Sequence, residues 1–300
     1  MIKNNPTLGW NKKVPQKVDH LSASSVSTYL QCGLKWRLGH VDHLQPIGSV
    51  SVHLCFGSAI HKGLEPYWLG EPAQFNESWA AYKSDSNIEY GRNSWLHWCL
   101  RGAKMTTAVV DKTIGRFDPT KSVVELEEDI DLGFIVLRRR IDCLLEVNKL
   151  NIMVGGNNVD VSGAILADLK TAGQAYYPDA ADWSQQLMTY NIKNPRSLRD
   201  IAMSVYIVVT KSDPPRVQII GRKYSREEVK GQIFRIRHVA DSIRSGIFVQ
   251  TKGDNCGLCD YKALCYEMPK WQERYSVSGD RSRTPSSNRK SNSMEEGKAA

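Results

Sequence analysis

Ala164-Ile165-Leu166-Ala167-Asp168-Leu169-Lys170-Thr171 reads as a buried strand that carries its two charges on one side. Side chains alternate along extended backbone, so Asp168 and Lys170 share a face while Ala167 and Leu169 take the other. Upstream, Leu137-Arg138-Arg139-Arg140-Ile141-Asp142-Cys143-Leu144-Leu145 has the same period. It sets Arg138, Arg140 and Asp142 on one side and Leu137, Ile141, Cys143 and Leu145 on the other. Two adjacent strands that each offer a carboxylate, with a lysine beside one of them, make a workable phosphodiesterase site. Carboxylates bind Mg²⁺ or Mn²⁺, which prefer oxygen ligands. Such a metal polarises a phosphate and acidifies the attacking water, while a lysine orients that water or stabilises developing charge. Asp-x-Lys alone is common, and a strand-end lysine is more often simply solvated.

Outward from this pair, Val124, Leu126, Ile130 and Leu132 alternate with Glu125, Glu127, Asp129 and Asp131, a strand with one acidic face. Gly133 turns the chain into a strand over 134–147. The Gly155-Gly156-Asn157-Asn158 stretch predicts a turn over 151–161, before a strand over 164–170. Strands follow over 201–210 and 216–224, joined through Pro214-Pro215. Helical spacing marks Val26, Tyr29, Leu30 and Leu34, with Ser22 or Ser24 as cap. It marks a second helix over 54–68, where His61 and Glu65 sit four apart. Residues 74–115 read as mostly helical and rich in tryptophan (Trp79, Trp95, Trp98). Helices over 182–192 and from Ser225 to about Ser245 complete the pattern, the latter with Glu227 and Glu228 in its first turn, where negative charge suits the helix dipole. The expected fold class is α/β, a central mixed sheet flanked by helices.

Residues 1–20 read as a basic, irregular arm, and the Ser- and Arg-rich stretch 276–300 as a disordered tail. The folded domain is expected over 21–275. The net charge of +8 favours a polyanionic partner without proving one. No apolar run is long enough to span a membrane and no signal peptide is visible, so a cytoplasmic protein is expected.

Of seven cysteines, three form Cys256-Gly257-Leu258-Cys259 and Cys265, a spacing that presents thiolates convergently to a metal. A four-thiolate site needs one more, and Cys32 is the candidate, which would clasp the start of the fold to its end. Spacing alone admits zinc and iron–sulfur equally. Cys55, Cys99 and Cys143 read as small core residues.

The sequence resembles the PD-(D/E)xK nuclease superfamily, and within it the RecB/AddB-like branch that carries a four-cysteine iron–sulfur cluster, from about Leu21 to Cys265. Six segments occur in the family's order: Leu21-Ser22-Ala23-Ser24-Ser25 leading to Cys32, Phe56-Gly57-Ser58-Ala59-Ile60-His61, Arg140-Ile141-Asp142, Asp168-Leu169-Lys170-Thr171, Gln186-Leu187-Met188-Thr189-Tyr190, and the cysteine triplet. The resemblance implies a restriction-endonuclease-like core and a Mg²⁺- or Mn²⁺-dependent DNA exonuclease acting on single-stranded ends. Its metal ligands would be His61, Asp142, Asp168 and the Leu169 carbonyl, and Lys170 would be the charge-stabilising residue. Gln186, Tyr190, Glu65 and Arg140 would support the site or position DNA. A 4Fe–4S cluster would sit on Cys32, Cys256, Cys259 and Cys265. Settings in this branch include phage replication, recombination, repair and CRISPR adaptation, with a helicase or recombinase as partner.

Two departures stand out. The family usually has glycine shortly before its first aspartate, where this chain has Leu137-Arg138-Arg139-Arg140, which suggests phosphate contact. The stretch 71–120 is longer than the family minimum and is expected to form a helical cap, whose tryptophans either stack bases or, the favoured reading, pack the cap's own core. The competing reading of the whole chain is a non-catalytic iron–sulfur DNA-binding subunit.

Overall fold

In the computed structural model, residues 18–46, 50–85, 87–192, 200–266 and 275–277 are described. The arm expected over 1–20 falls mostly outside them, as does the tail beyond Val277. In chain order the elements are β1 (His20–Ser22), α1 (Ala23–Gln31), α2 (Gly33–His40), β2 (Leu44–Pro46), β3 (Val50–Ser51), α3 (Val52–Trp68), α4 (Phe75–Ala80), β4 (Ile88–Glu89) and α5 (Trp95–Thr113). There follow β5 (Phe117–Asp131), β6 (Val136–Val154), β7 (Asn157–Ala172), α6 (Gln185–Tyr190), β8 (Ile201–Thr210), β9 (Val217–Arg222), α7 (Arg226–Arg244), α8 (Lys262–Cys265) and β10 (Tyr275–Val277).

The organising element is β6, which pairs antiparallel with β5 and β7 and parallel with β1. β7 then pairs parallel with β8, and β8 antiparallel with β9, giving a six-stranded mixed sheet. The expected turn over 151–161 is far tighter than the sequence suggests. Gly155 and Gly156 both have positive φ, the requirement of a two-residue hairpin turn, so residues 151–154 and 157–161 are paired strand. This extension is studded with polar residues such as Asn151 and Asp160, which is why it does not read as strand.

Both faces of the sheet are covered. On one, Phe56, Ile60, Leu64, Trp79, Trp98, Met105 and Val109 of α3, α4 and α5 pack on Cys143, Leu145, Ala167 and Leu169. Trp79 and Trp98 are fully or nearly fully buried here, so the cap's tryptophans fill its core, as favoured above. The region 74–115 is mostly helical, as expected, with the short β4 and its turns separating α4 from α5. On the other face, Leu187 and Tyr190 of α6 pack on Ile141, Leu144, Leu166 and Tyr206. α7 opens with a capping box between Ser225 and Glu228 and packs with α1 and α2 against the β1 edge.

α1 opens at Ser22, whose Oγ accepts the Ser25 N–H at 3.1 Å. The single helix expected through Leu34 is instead two, because Cys32 adopts extended backbone and its sulfur caps α2 by accepting from the Lys35 N–H. The two ends of the chain are joined. The Leu34 N–H donates to Val249 O at 3.2 Å, and Tyr261 Oη donates to Leu44 O at 2.8 Å across 217 positions. β10 pairs with β2, so Ser276 and Val277 belong to a strand rather than to the start of the tail.

Candidate active site

Register assembles the site. The β5–β6 ladder pairs Val124 with Cys143 and Leu126 with Ile141, which sets Glu125 opposite Asp142. The β6–β7 ladder runs to Cys143 and Ala167, and one step further sets Asp142 opposite Asp168. Three carboxylates therefore stand in a row across three adjacent strands. Glu125 is held at φ 50°, in the left-handed region that a non-glycine residue occupies only when its surroundings force it.

The alternation expected on β6 breaks at this point. Ile141 lies in the α6-side core while Cys143 and Leu145 lie in the α3-side core, so Asp142 does not simply oppose one apolar face. α3 supplies the imidazole. Gly57 lets that helix seat against β7, since a Cβ there would lie 3.3 Å from Thr171 Oγ1. One turn on, His61 Nδ1 is 3.3 Å from Asp142 Oδ2. His61, Glu125 and Asp142 each place a ligand atom within 4.8 Å of the others, the one such metal-binding group among the described residues.

Asp168 does not belong to that trio. It is almost wholly buried, and its Oδ1 accepts from Gln186 Nε2 at 2.6 Å and from Tyr190 Oη at 3.2 Å. Its Oδ2 forms an ion pair with Lys170 Nζ at 2.6 Å. Lys170 Nζ in turn donates to Gln186 Oε1 at 3.0 Å. Gln186 thus spans the two charged groups, held by α6, whose cap Ser184 lies 2.5 Å from Tyr206 Oη.

The electrostatics follow from this crowding. Burial, and then the negative charge of Asp168, push Asp142 from its ordinary 3.8 up to about 6, against the opposing effects of His61, the Leu169 N–H (2.9 Å from Oδ2) and Lys170. Burial alone would lower Lys170, but the adjacent Asp168 carboxylate outweighs it and the net shift is upward, so the ammonium stays charged. Burial and the Asp168 charge raise Tyr190, keeping its phenol a donor.

The remaining expected residues divide. Glu65 pairs with Lys62 at 2.6 Å rather than with His61, so the support expected from it is not seen. Arg140 is exposed and pairs with Glu125, and Arg138 pairs with Asp129 at 2.9 Å, so neither guanidinium is unpaired. Arg139, expected beside them on a phosphate path, is buried. It pairs with Glu128 and donates to the carbonyls of Tyr190 and Ile192, tying the end of α6 to β6. Its parity with Leu137 and Ile141 was the available signal. Glu125 was visible only as one acid of an acidic strand face.

A second convergence lies at the joined ends. Cys32, Cys256, Cys259 and Cys265 line one pocket, with Lys35 and Tyr261 among its walls. Burial, and then the neighbouring Cys259, Cys32 and Cys256, raise the Cys265 thiol. No three of these sulfurs close to within 4.8 Å of one another. Cys55 and Cys143 are buried elsewhere and Cys99 is half-buried, and all seven cysteines are free thiols.

Fold and site together define an α/β protein that aligns carboxylates, an imidazole and a lysine across the middle of a mixed sheet. The chain belongs to the PD-(D/E)XK nuclease superfamily, whose family model matches residues 20–266. It is also similar in structure to a protein of Eubacterium rectale provisionally designated an exonuclease, at 10% identity and a TM-score of 0.47, covering 89% of this chain and 94% of that one. The structure named SSO0001 aligns at 13% identity and a TM-score of 0.32, covering 81% and 94%. These scores are too low to argue from. No curated protein matches. Membership of the superfamily implies a nucleic-acid substrate and a divalent metal, for which His61, Glu125 and Asp142 offer a site. No helix among the described residues is long and apolar enough to cross a membrane.

Proposed function

We propose that this protein is a Mg²⁺- or Mn²⁺-dependent deoxyribonuclease that degrades DNA from single-stranded ends, with a 4Fe–4S cluster on Cys32, Cys256, Cys259 and Cys265. The observation that carries the nuclease reading is the row Glu125–Asp142–Asp168 with His61 beside Asp142 and Lys170 beside Asp168. Hard oxygen donors with one imidazole suit either cation, and the elevated pKa of Asp142 is relieved by a positive charge. His61, Asp142, Asp168 and the Leu169 carbonyl, joined by Glu125, would hold the metal, which supplies polarisation of the scissile phosphate and acidification of water. Lys170, kept protonated by Asp168, stabilises the charge that grows on the phosphoryl oxygens and orients the attacking water. Gln186 fixes the ammonium relative to Asp168, and Tyr190 fixes Asp168. Water adds across one P–O bond, leaving a phosphate monoester on one fragment and a hydroxyl on the other.

For the cluster, the supporting feature is that Cys32, Cys256, Cys259 and Cys265 line one pocket where the two ends of the chain meet. Assignment to the RecB/AddB-like branch rests on this cysteine set. Phage DNA processing, recombination, repair and CRISPR adaptation are the settings it fits, and a helicase or recombinase is the partner class.

The test is cleavage of end-labelled single-stranded DNA by anaerobically purified protein with Mn²⁺, beside Asp168→Ala. Metal-dependent degradation that disappears in the variant is expected. Intact DNA with well-folded wild-type protein on single strands, duplexes and flaps would leave a DNA-binding subunit as the reading.

A further inference from the structure

We propose that Tyr177 and Trp183 form a stacking surface for the unpaired bases of a single nucleic-acid strand entering the carboxylate site, an inference that rests on the nuclease reading and names the part of the substrate it grips. Tyr177 is 82% exposed and Trp183 79%, more than any other large apolar or aromatic side chain among the described residues. Both lie on the connection from β7, which carries Asp168 and Lys170, to α6, which carries Gln186 and Tyr190.

This exposure does not come from a loose loop. Ala181, between the two rings, is buried, and Tyr224 Oη donates to its carbonyl at 2.5 Å. Asp182 pairs with Arg222 at 3.0 Å, and the Ala180 and Asp182 N–H groups close turns onto Tyr177 O and Asp179 O at 3.0 and 2.8 Å. The indole is itself oriented, its Nε1 lying 3.4 Å from Asp179 Oδ2. The fold anchors the segment through Ala181 and Leu187 and asks nothing of the aromatic rings, which it nonetheless holds out in water.

Position and chemistry select the ligand. Trp183 immediately precedes Ser184, the cap of α6, and lies three residues before Gln186, a span of at most about 11 Å of backbone, and Gln186 bonds both Lys170 and Asp168. A ring face presented there meets nucleotides close to the reacting one. The carboxylate of Asp179 beside the indole disfavours phosphates, so the base rather than the backbone is what this surface receives. Duplex bases have their faces covered by their neighbours, whereas every unpaired base offers one.

The test is binding of a fluorescein-labelled oligothymidylate without added divalent metal, so that catalysis plays no part. Each base–aromatic stack contributes about tenfold or more in affinity, so a Tyr177→Ala/Trp183→Ala double variant is expected to bind roughly 100-fold more weakly. Tyr177→Phe/Trp183→Phe is expected to stay within a few-fold of wild type. Wild-type protein should bind an abasic oligomer of equal charge as weakly as the Ala variant binds oligothymidylate. Duplex binding, and Mn²⁺-dependent hydrolysis of bis(p-nitrophenyl) phosphate, should be unchanged in all forms. Oligothymidylate affinity equal in wild type and the Ala variant, or absent in wild type, would overturn the stacking surface. Failure of the nuclease reading looks different: no hydrolysis of any phosphodiester by wild-type protein, with the ring-dependent binding intact.

Discussion

The carboxylate row and the cysteine pocket are both candidate metal centres, built by opposite means. The row comes from three consecutive strands whose register fixes Glu125, Asp142 and Asp168 side by side, and each acid is already engaged by a neighbour. It stands complete before any cation arrives, at the cost of burial and then of mutual repulsion, which together lift Asp142 to about 6. The pocket comes from segments far apart in the chain, whose thiols line one space. The difference teaches what each centre would owe its metal. A cation relieves stress in the row and adds little architecture, whereas a cluster in the pocket would complete the packing of the two ends.

Lys170→Ala attacks the first half of that contrast and carries the largest expected effect. Cleavage should fall on the order of a thousandfold, with any iron–sulfur absorbance unchanged; activity near wild type would remove Lys170 from the chemistry. Glu125→Gln should come next, weakening Mn²⁺ binding by about tenfold to a hundredfold in a calorimetric titration. Unaltered affinity would mean that Glu125 serves only Arg140.

Cys256→Ala probes the pocket. Anaerobically purified variant should lack the brown colour and melt about 10 °C lower, since a cross-link closing so long a loop contributes several kcal/mol. A colourless wild-type protein containing zinc would sharpen the contrast differently, leaving the pocket as a staple of another metal.

The smallest effect is one of pH. Asp142 titrates above its unfolded value, so the metal-free fold binds the extra proton between about pH 4 and 6. Its contribution to stability is fully present below about pH 4 and is lost as pH rises through 6. Metal-free wild type should therefore lose about 3–5 °C relative to Asp142→Asn between pH 4 and 7. Mn²⁺ affinity should move oppositely, falling about tenfold per pH unit below 6 as a proton competes for the site. A wild-type–variant gap that does not change with pH would show that Asp142 is not strained.

Much of this was legible beforehand where local chemistry and global fold agree. Strand 201–210 is largely apolar and is followed within four residues by a Pro-Pro step, and it forms as expected. The Ser22 and Ser225 caps likewise follow from short-range hydrogen bonding alone. Asp142, Asp168, Lys170, His61, Gln186 and Tyr190 come together as their order along the chain suggests. What escaped depends on backbone detail that composition does not carry. The positive φ of Glu125 breaks the pleat and turns that acid toward Asp142, and the paired positive φ of Gly155 and Gly156 extends a hairpin through polar sequence. The burial of Arg139 escaped because its partners, the carbonyls of Tyr190 and Ile192, lie 51 and 53 positions away and carry no side-chain signature.

The joining of the two ends also sets a clock. Tyr29 donates to Ile247 across 218 positions, so the surface of α1 and α2 that receives the later segment has no cover until that segment is made. At roughly 5–20 residues per second, the wait is on the order of 10–45 s of synthesis. For that interval Cys32 stands on a nascent chain without its three companions, and a metal centre on all four thiols could be loaded only after Cys265 is made. A ribosome that stalls inside β8 would release a chain that already carries Glu125, Asp142, Asp168 and Lys170 and lacks the clasp altogether.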